Sequence, residues 1–279
     1  MSSQSQFPSL LLGTRNAGKV REIETILVDI PWRLRSLRDF PQVGIAAETA
    51  PTYGENAITK AQFYARETGL IALADDSGLE VEALGGAPGV FSARYAGAGA
   101  SDADRRALLL SELARVVREN AADRSAGRRG TRRRSTEVTS ARDDEVTSAE
   151  VDESKSGRVD EVTSAGTDEV TSAQVEGNRR ARFVCVVAIA KPDGTVLTTS
   201  EGMCEGKIIF EERGSNGFGY DPLFVPDGFD QTFAELSDSI KNQISHRARA
   251  LLKTREFLMS NRSSLPQTWR SLDQPTHGS

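Results

Sequence analysis

The chain has 279 residues, 38% of them hydrophobic with 24 glycines besides, which is enough apolar material for one sizeable core with room for an unpacked part. A formal net charge of −5 excludes the strongly basic balance of a general nucleic-acid binder and the acidity of a solvating chain. Two cysteines, Cys185 and Cys204, form neither a disulfide framework nor a CxxC metal site, and the longest apolar run, Phe183 to Ala190, is far too short for a bilayer, so a reducing, cytoplasmic setting without a membrane is expected.

Met1 to Ser9 lacks a basic start followed by an apolar stretch, so no secretory leader is expected. Leu10 to Leu12, ending at Gly13, predicts a short buried strand. Val20, Ile23, Ile26, Leu27 and Ile30 follow at helical spacing, and Pro31 stops them. Glu55 to Glu67 predicts a second helix, with Ile58, Ala61 and Ala65 on one face and Gly69 as its stop. Leu70 to Ala74 is a second buried strand. Asp102 to Val117 is a third helix, with Asp102 as N-cap and Leu109, Leu113, Val116 and Val117 as its apolar face.

From about Asn120 to Asn178 the apolar periodicity is lost. An arginine cluster (Arg124, Arg128, Arg129, Arg132, Arg133, Arg134) gives way to three copies of Asp-Glu-Val-Thr-Ser-Ala beginning at Asp144, Asp160 and Asp168. One large apolar residue per six cannot offset the ordering entropy of the unit. Residues 120–178 therefore read as a disordered insertion. After it, Arg182 to Ala190 is a strand, Pro192-Asp193-Gly194 a turn, and Thr195 to Glu201 the returning strand of a hairpin. Ser245 to Met259 is the last helix, with Ser245 as N-cap. The polar tail 261–279 is expected to be loose. The hairpin breaks strict βαβ alternation, so the fold class is α/β with a mixed β-sheet flanked by helices. Residues 9–119 and 179–260 form its single domain.

Four stretches carry chemistry. Gly13-Thr14-Arg15-Asn16-Ala17-Gly18-Lys19 lies between a strand and a helix, where backbone N–H groups and the helix N-terminus favour anions and Lys19 adds a positive charge. Its GxxxxGK spacing matches a P-loop, yet Val20 stands where a P-loop has Ser or Thr for Mg²⁺. Ala74-Asp75-Asp76-Ser77-Gly78 follows the second strand as a turn. Its adjacent carboxylates are costly unless paired or bound to a hard cation, and turns favour the same residue types. Gly214 to Pro222 is a glycine-rich loop carrying Phe218, Tyr220 and Asp221, suited to stacking on a base. Lys241 and Ser245-His246-Arg247 would make an electropositive corner at a helix start.

In this order, with Glu55-Asn56-Ala57 and Leu84 to Tyr95, these stretches resemble the RdgB-type dITP/XTP pyrophosphatase family, ITPase-like enzymes that act on non-canonical purine nucleoside triphosphates. The resemblance covers roughly 9–119 and 179–260. It implies a central nucleotide cleft and Mg²⁺-dependent hydrolysis of dITP, ITP and XTP to monophosphate and pyrophosphate, cleansing the nucleotide pool. Thr14, Arg15, Asn16, Ala17, Gly18, Lys19 and Ser77 would bind the triphosphate. Asp76 would be the general base and, with Glu48, hold the metal. Phe218, Gly219, Tyr220 and Asp221 would form the base pocket, and Lys241, His246 and Arg247 would complete the nucleotide contacts. The family's homodimer is expected, and no nucleic-acid partner. A P-loop NTPase or kinase and a non-catalytic nucleotide-binding protein are the alternatives; the insertion is the chief departure from the family pattern.

Overall fold

A computed structural model describes residues 7–134 and 179–261, with 120–134 as backbone only. Among them six strands form one sheet: β1 (Ser9–Leu12), β2 (Arg33–Ser36), β3 (Ile71–Val81), β4 (Arg180–Ala190), β5 (Val196–Ile208) and β6 (Phe224–Pro226), in the order β2-β1-β3-β4-β5-β6. β1 runs parallel to β2 and β3, and every pairing from β3 to β6 is antiparallel. The α-helices are α1 (Ala17–Ile26), α2 (Tyr53–Thr68), α3 (Asp102–Arg134), α4 (Asp238–Ile244) and α5 (His246–Ser260). The expected α/β mixed sheet flanked by helices is the fold.

Strand alternation sorts the core into layers. Ala72, Ala74, Val184, Val186 and Ala188 face α2, which meets them with the small side chains Ala57, Ala61 and Ala65. The residues between, Ile71, Leu73, Cys185, Val187 and Ile189, face α1 and α5 through Ile23, Leu27, Ala250 and Leu251. Both faces of β3 and β4 are covered, which is why their sequences read as apolar runs without alternation. A third cluster, with Leu79, Phe183, Phe224 and Phe233, packs against Leu109 and Leu113 of α3.

Helix ends follow local chemistry. Gly69 ends α2 in the left-handed conformation, φ 69°, and the Ser245 side chain caps α5 by accepting the Ala248 N–H, both as the sequence suggests. α1 ends at Ile26, a turn before Pro31. Asp102, in contrast, is not the cap of α3. Ser101 is: its hydroxyl accepts the Asp104 N–H at 3.2 Å while the Asp104 carboxylate accepts the Ser101 N–H at 2.9 Å, a reciprocal capping box.

α3 also runs past Val117 to Arg134. The start of the predicted insertion, 120–134, thus continues the helix, because its Ala- and Arg-rich sequence keeps helix propensity after the apolar stripe has ended. The repeats, within 135–178, and the tail from 262 onward lie outside the described residues.

The larger correction concerns Ala74 to Gly78. These residues are not a turn but the middle of β3, in register with β4 from Ala72↔Ala190 to Val81↔Ala181. The cross-strand ladder overrides the turn preference of Asp, Ser and Gly. β1 stops at Leu12, and Gly13 closes the pairing by donating its N–H to the Leu73 carbonyl at 2.7 Å. Beyond that point β3 has no partner strand on the β1 side, and the sheet opens into a cleft where the parallel half changes to the antiparallel half. Open α/β sheets bind ligands at such switch points.

Candidate active site

The cleft is lined by Gly13, Thr14, Arg15, Asn16 and Lys19 after β1, by Glu48 and Lys60, by Asp76, Ser77 and Gly78 on β3, by Asp102 and Arg105 on α3, by Phe218 to Asp221, and by Lys241, His246 and Arg247. Nearly all the sequence-selected residues therefore meet in one place. Ala17 and Gly18 are the exceptions and do not line it. Gly18 is buried beneath the aromatic loop, where a Cβ would come within 2.4 Å of the Phe218 ring.

Because β3 is a strand, Asp75 and Asp76 point to opposite faces. Asp75 faces α5 and is 1% exposed. Its Oδ2 accepts from Lys19 Nζ at 2.8 Å and Arg247 Nε at 3.3 Å, with the Cys185 thiol at 3.9 Å. Burial alone would push this carboxyl up, but Lys19, Arg247 and Lys60 outweigh it and hold Asp75 well below the usual carboxylate range. It is a permanent anion that orients two cations. Burial, reinforced by the Asp75 charge, pushes the Cys185 thiol up to about 12, so that thiol stays protonated.

Asp76 faces α2. Its Oδ2 accepts from Asn56 Nδ2 at 3.1 Å, and Lys60 Nζ lies 3.9 Å from Oδ1. Burial, reinforced by Glu48 and Asp75, pushes this carboxyl up to about 6 against the pull of Lys60 and Lys19. Two neighbours on one strand thus titrate far apart, because cations outweigh burial at Asp75 while burial outweighs the pull of Lys60 and Lys19 at Asp76. Lys60 Nζ also donates to Glu48 at 2.5 Å and to the Asp75 carbonyl at 2.7 Å. Asn56 further exchanges both amide hydrogen bonds with Ala50, tying the segment that carries Glu48 to β3.

Across the cleft, Asn16 caps α1 by accepting the Lys19 N–H at 3.1 Å, which aims Lys19 inward. The position after Lys19 is Val20, packed against the α1 and α5 side of the core, where a P-loop would need a hydroxyl. The corner at Lys241, His246 and Arg247 is not the unbalanced positive patch that the sequence suggested. Glu22 on α1 pairs with Lys241 at 2.8 Å and with Arg247 Nη1, and Asp221 pairs with Lys241 at 2.6 Å. Buried charges persist only when paired, and these are. Arg247 Nη2 reaches on to the Ser77 hydroxyl at 3.0 Å.

His246 is buried and stacked on Phe183, with ring centroids 4.6 Å apart and planes 10° from parallel. Burial and then the charges of Arg247, Lys241 and Lys19 hold its pKa well below the ordinary histidine value, so it is neutral. Its Nδ1 has no hydrogen-bond partner among the described residues. In the aromatic loop, Phe218 is half-buried with Lys241 Nζ 4.8 Å and Arg247 Cζ 5.5 Å from its ring centre. Asp221 accepts the Phe218 N–H at 2.8 Å, and Tyr220 turns inward to donate to the Ser92 carbonyl at 3.0 Å. Asp221 and Tyr220 therefore shape the loop, leaving Phe218 as the aromatic that faces the cleft.

Three residues of this network have no role in the sequence reading, although Asn56 belongs to one of the stretches that carry the resemblance. Glu22 lies three residues beyond Lys19 on α1, and Asn56 and Lys60 are one helical turn apart among the buried alanines of α2. Polar residues on the apolar face of an amphipathic helix were the available signal. Among the described residues no three His, Cys, Asp or Glu side chains converge to hold a metal ion, and no helix is long and apolar enough to cross a membrane.

Comparison with known proteins agrees with this geometry. A dITP/XTP pyrophosphatase of Desulfotalea psychrophila is 39% identical over 244 residues, 88% of this chain and 82% of that protein. One from Syntrophobacter fumaroxidans is 40% identical over 249 residues, 89% of this chain and 81% of that protein. The solved structure of a HAM1 protein from Coxiella burnetii superposes with a TM-score of 0.64 at 32% identity, covering 91% of this chain and 99% of that one. The Ham1 family profile matches residues 10–159 and 146–257; with the cleft, the split aspartate pair and these relatives, the chain belongs to the Ham1 family.

Proposed function

We propose that the protein is a nucleoside-triphosphate pyrophosphatase that hydrolyses non-canonical purine nucleotides, dITP, ITP and XTP, to monophosphate and pyrophosphate. The observation that carries this reading is the division of β3. Asp76 stands on the open face of the cleft beside Lys60 and Glu48, while Asp75 on the other face holds Lys19 and Arg247. A base and a set of phosphate-directed cations thus meet across one strand.

In this reading the triphosphate lies between the Thr14 to Lys19 turn and β3. Asp76 accepts a proton from the water that attacks the α-phosphorus, and the bond to the bridging oxygen of the pyrophosphate breaks. Lys19, oriented by Asp75, balances charge on the phosphates, and Ser77 supplies a hydroxyl beside Arg247. Phe218 stacks on the purine. The 6-oxo group of hypoxanthine or xanthine pairs with a donor of the Arg247 and His246 corner, where the 6-amino group of adenine would oppose donor to donor.

Glu48 and Asp76, straddling Lys60, fit a Mg²⁺ that takes one or two protein carboxylates and its other ligands from substrate oxygens and water. Such an ion would neutralise phosphate charge beside the scissile bond. A cytoplasmic homodimer that cleanses the nucleotide pool completes the reading.

The test is a product assay with dITP, XTP, dATP and dGTP, each with and without Mg²⁺. Pyrophosphate released from dITP and XTP in preference to dATP is the expected result. Orthophosphate release, or affinity without turnover, would sink the proposal. The pH profile adds a second check. Because Asp76 must be ionised to accept a proton, and its carboxyl is pushed up to about 6, kcat/KM is expected to hold above that value. Below about pH 6 it should fall about tenfold per pH unit. A profile flat down to pH 4.5 would remove Asp76 as the base.

A further inference from the structure

The aromatic loop is also held from α3, by side chains that take no part in the proposed reaction. Gly219 sits between Phe218 and Tyr220 at φ 63°. Its N–H donates to Asp102 Oδ2 at 2.8 Å, and its carbonyl accepts from Arg106 Nη1 at 2.9 Å. These groups belong to successive peptide planes, so the two bonds fix both planes that flank the glycine.

The clamp is itself braced. Asp102 Oδ1 pairs with Arg105, and Arg105 Nη1 donates to the carbonyls of Ala93 and Ala100, both at 2.8 Å. Arg106 Nη2 pairs with Glu212 at 2.9 Å. Because Ser101 caps α3, Asp102 is free to reach the loop. A glycine left unclamped has a wide choice of backbone conformations, and each would aim the preceding side chain differently. Tyr220 is tied down through its hydroxyl, so Phe218 is the aromatic whose direction depends on the Gly219 peptides.

We propose that Asp102 and Arg106, on the first turns of α3, are positioning residues for base recognition, aiming the Phe218 ring by clamping Gly219. The inference rests on the reading above that Phe218 stacks on the purine. It gives α3 a part in substrate selection and makes the aim of the ring a property of two elements, not of the loop alone.

Steady-state kinetics on dITP test it, using Asp102→Ala, Asp102→Asn and Arg106→Met with Phe218→Ala as reference. Loss of one hydrogen bond to a charged group is expected to raise KM about tenfold, with kcat within about twofold. Asp102→Asn keeps an acceptor oxygen and should restore most of the loss. Phe218→Ala combined with Asp102→Ala should be no worse in KM than Phe218→Ala alone, since a residue that acts only through the ring adds nothing once the ring is gone. Hydrogen exchange of the 214–221 peptide should accelerate in Asp102→Ala and in Arg106→Met, a readout that does not depend on turnover.

If Asp102→Ala unfolds, Arg106→Met carries the test, because it removes the second bond of the clamp while keeping an apolar stem. Unchanged KM and unchanged exchange in folded variants, or full additivity with Phe218→Ala, overturns the clamp alone. A wild-type protein that releases no pyrophosphate from dITP or XTP overturns the underlying reading and the base-recognition role with it.

Discussion

Asp76→Asn is expected to lower kcat on dITP by about 10³-fold, the usual scale for losing a positioned general base, while making the protein more stable. Both effects come from the same burial. The carboxyl is pushed up to about 6 from an ordinary 3.8, so its protonated form is the one the folded state prefers. For an acid shifted upward, ionisation costs folding stability: the favourable contribution is complete below the unfolded value and is lost as pH rises through about 6. At pH 8 that cost is about 3 kcal/mol, and a neutral amide avoids it. Asn56 remains next to the new side chain, and Lys60 keeps Glu48 and the Asp75 carbonyl. Urea denaturation at pH 8 and at pH 4 checks the sign, with the gain expected at pH 8 and absent at pH 4. Near wild-type turnover would dismiss Asp76 as the base. A variant less stable at pH 8 would show that burial does not set its titration. The trade of stability for reactivity is what active sites commonly display.

The second large effect falls on folding. Arg247→Met is expected to destabilise the protein by about 3–5 kcal/mol, the scale for removing one partner of a buried ion pair. Arg247 is 2% exposed and serves Asp75, Glu22 and Ser77 together. Its loss takes one of two cations from each of two carboxylates that solvent reaches poorly. Lys19 still holds Asp75 and Lys241 still holds Glu22, which limits the damage to partial loss of each. Glu22→Gln added to Arg247→Met should recover part of the stability, since one stranded charge is then removed. Chemical denaturation reads both variants. A loss below about 1 kcal/mol would mean that the network relaxes without Arg247 and that its geometry is not needed for the fold.

The relation between the two halves of the cleft was legible in the sequence only in part. The residues that meet in the cleft stand out in the sequence because they cluster around glycines and charged pairs, where local sequence speaks directly. The first turn, the Ser245 cap and the Gly69 stop are local events and came out as read. Glu22 and Lys60 are not legible, and Asn56 has no legible role, because each sits inside a helix, where a polar residue looks like solvated surface until the partner face is known. Asp102 was assigned the cap because it is a good capping residue; Ser101 with Asp104 is a better one, and the reciprocal pair could have been seen in the spacing. Apolar periodicity stops at Val117 while the helix backbone runs on to Arg134, because periodicity marks the buried face of a helix and not its length.

By itself the sequence determined which residues hold charge, which segments are apolar on one or both faces, and that strands and helices mix in one α/β unit, because these depend on side-chain chemistry and short-range spacing. Tertiary structure alone decided what Ala74 to Gly78 is. A stretch with every mark of a turn becomes the centre of an eleven-residue strand because β4 offers it a full ladder, and that placement sends Asp75 and Asp76 to opposite faces. One is then held ionised by cations, and the other is pushed up chiefly by burial. Their different titration follows from the alternation of a strand and from which helices cover its two faces, neither of which is written in the local sequence.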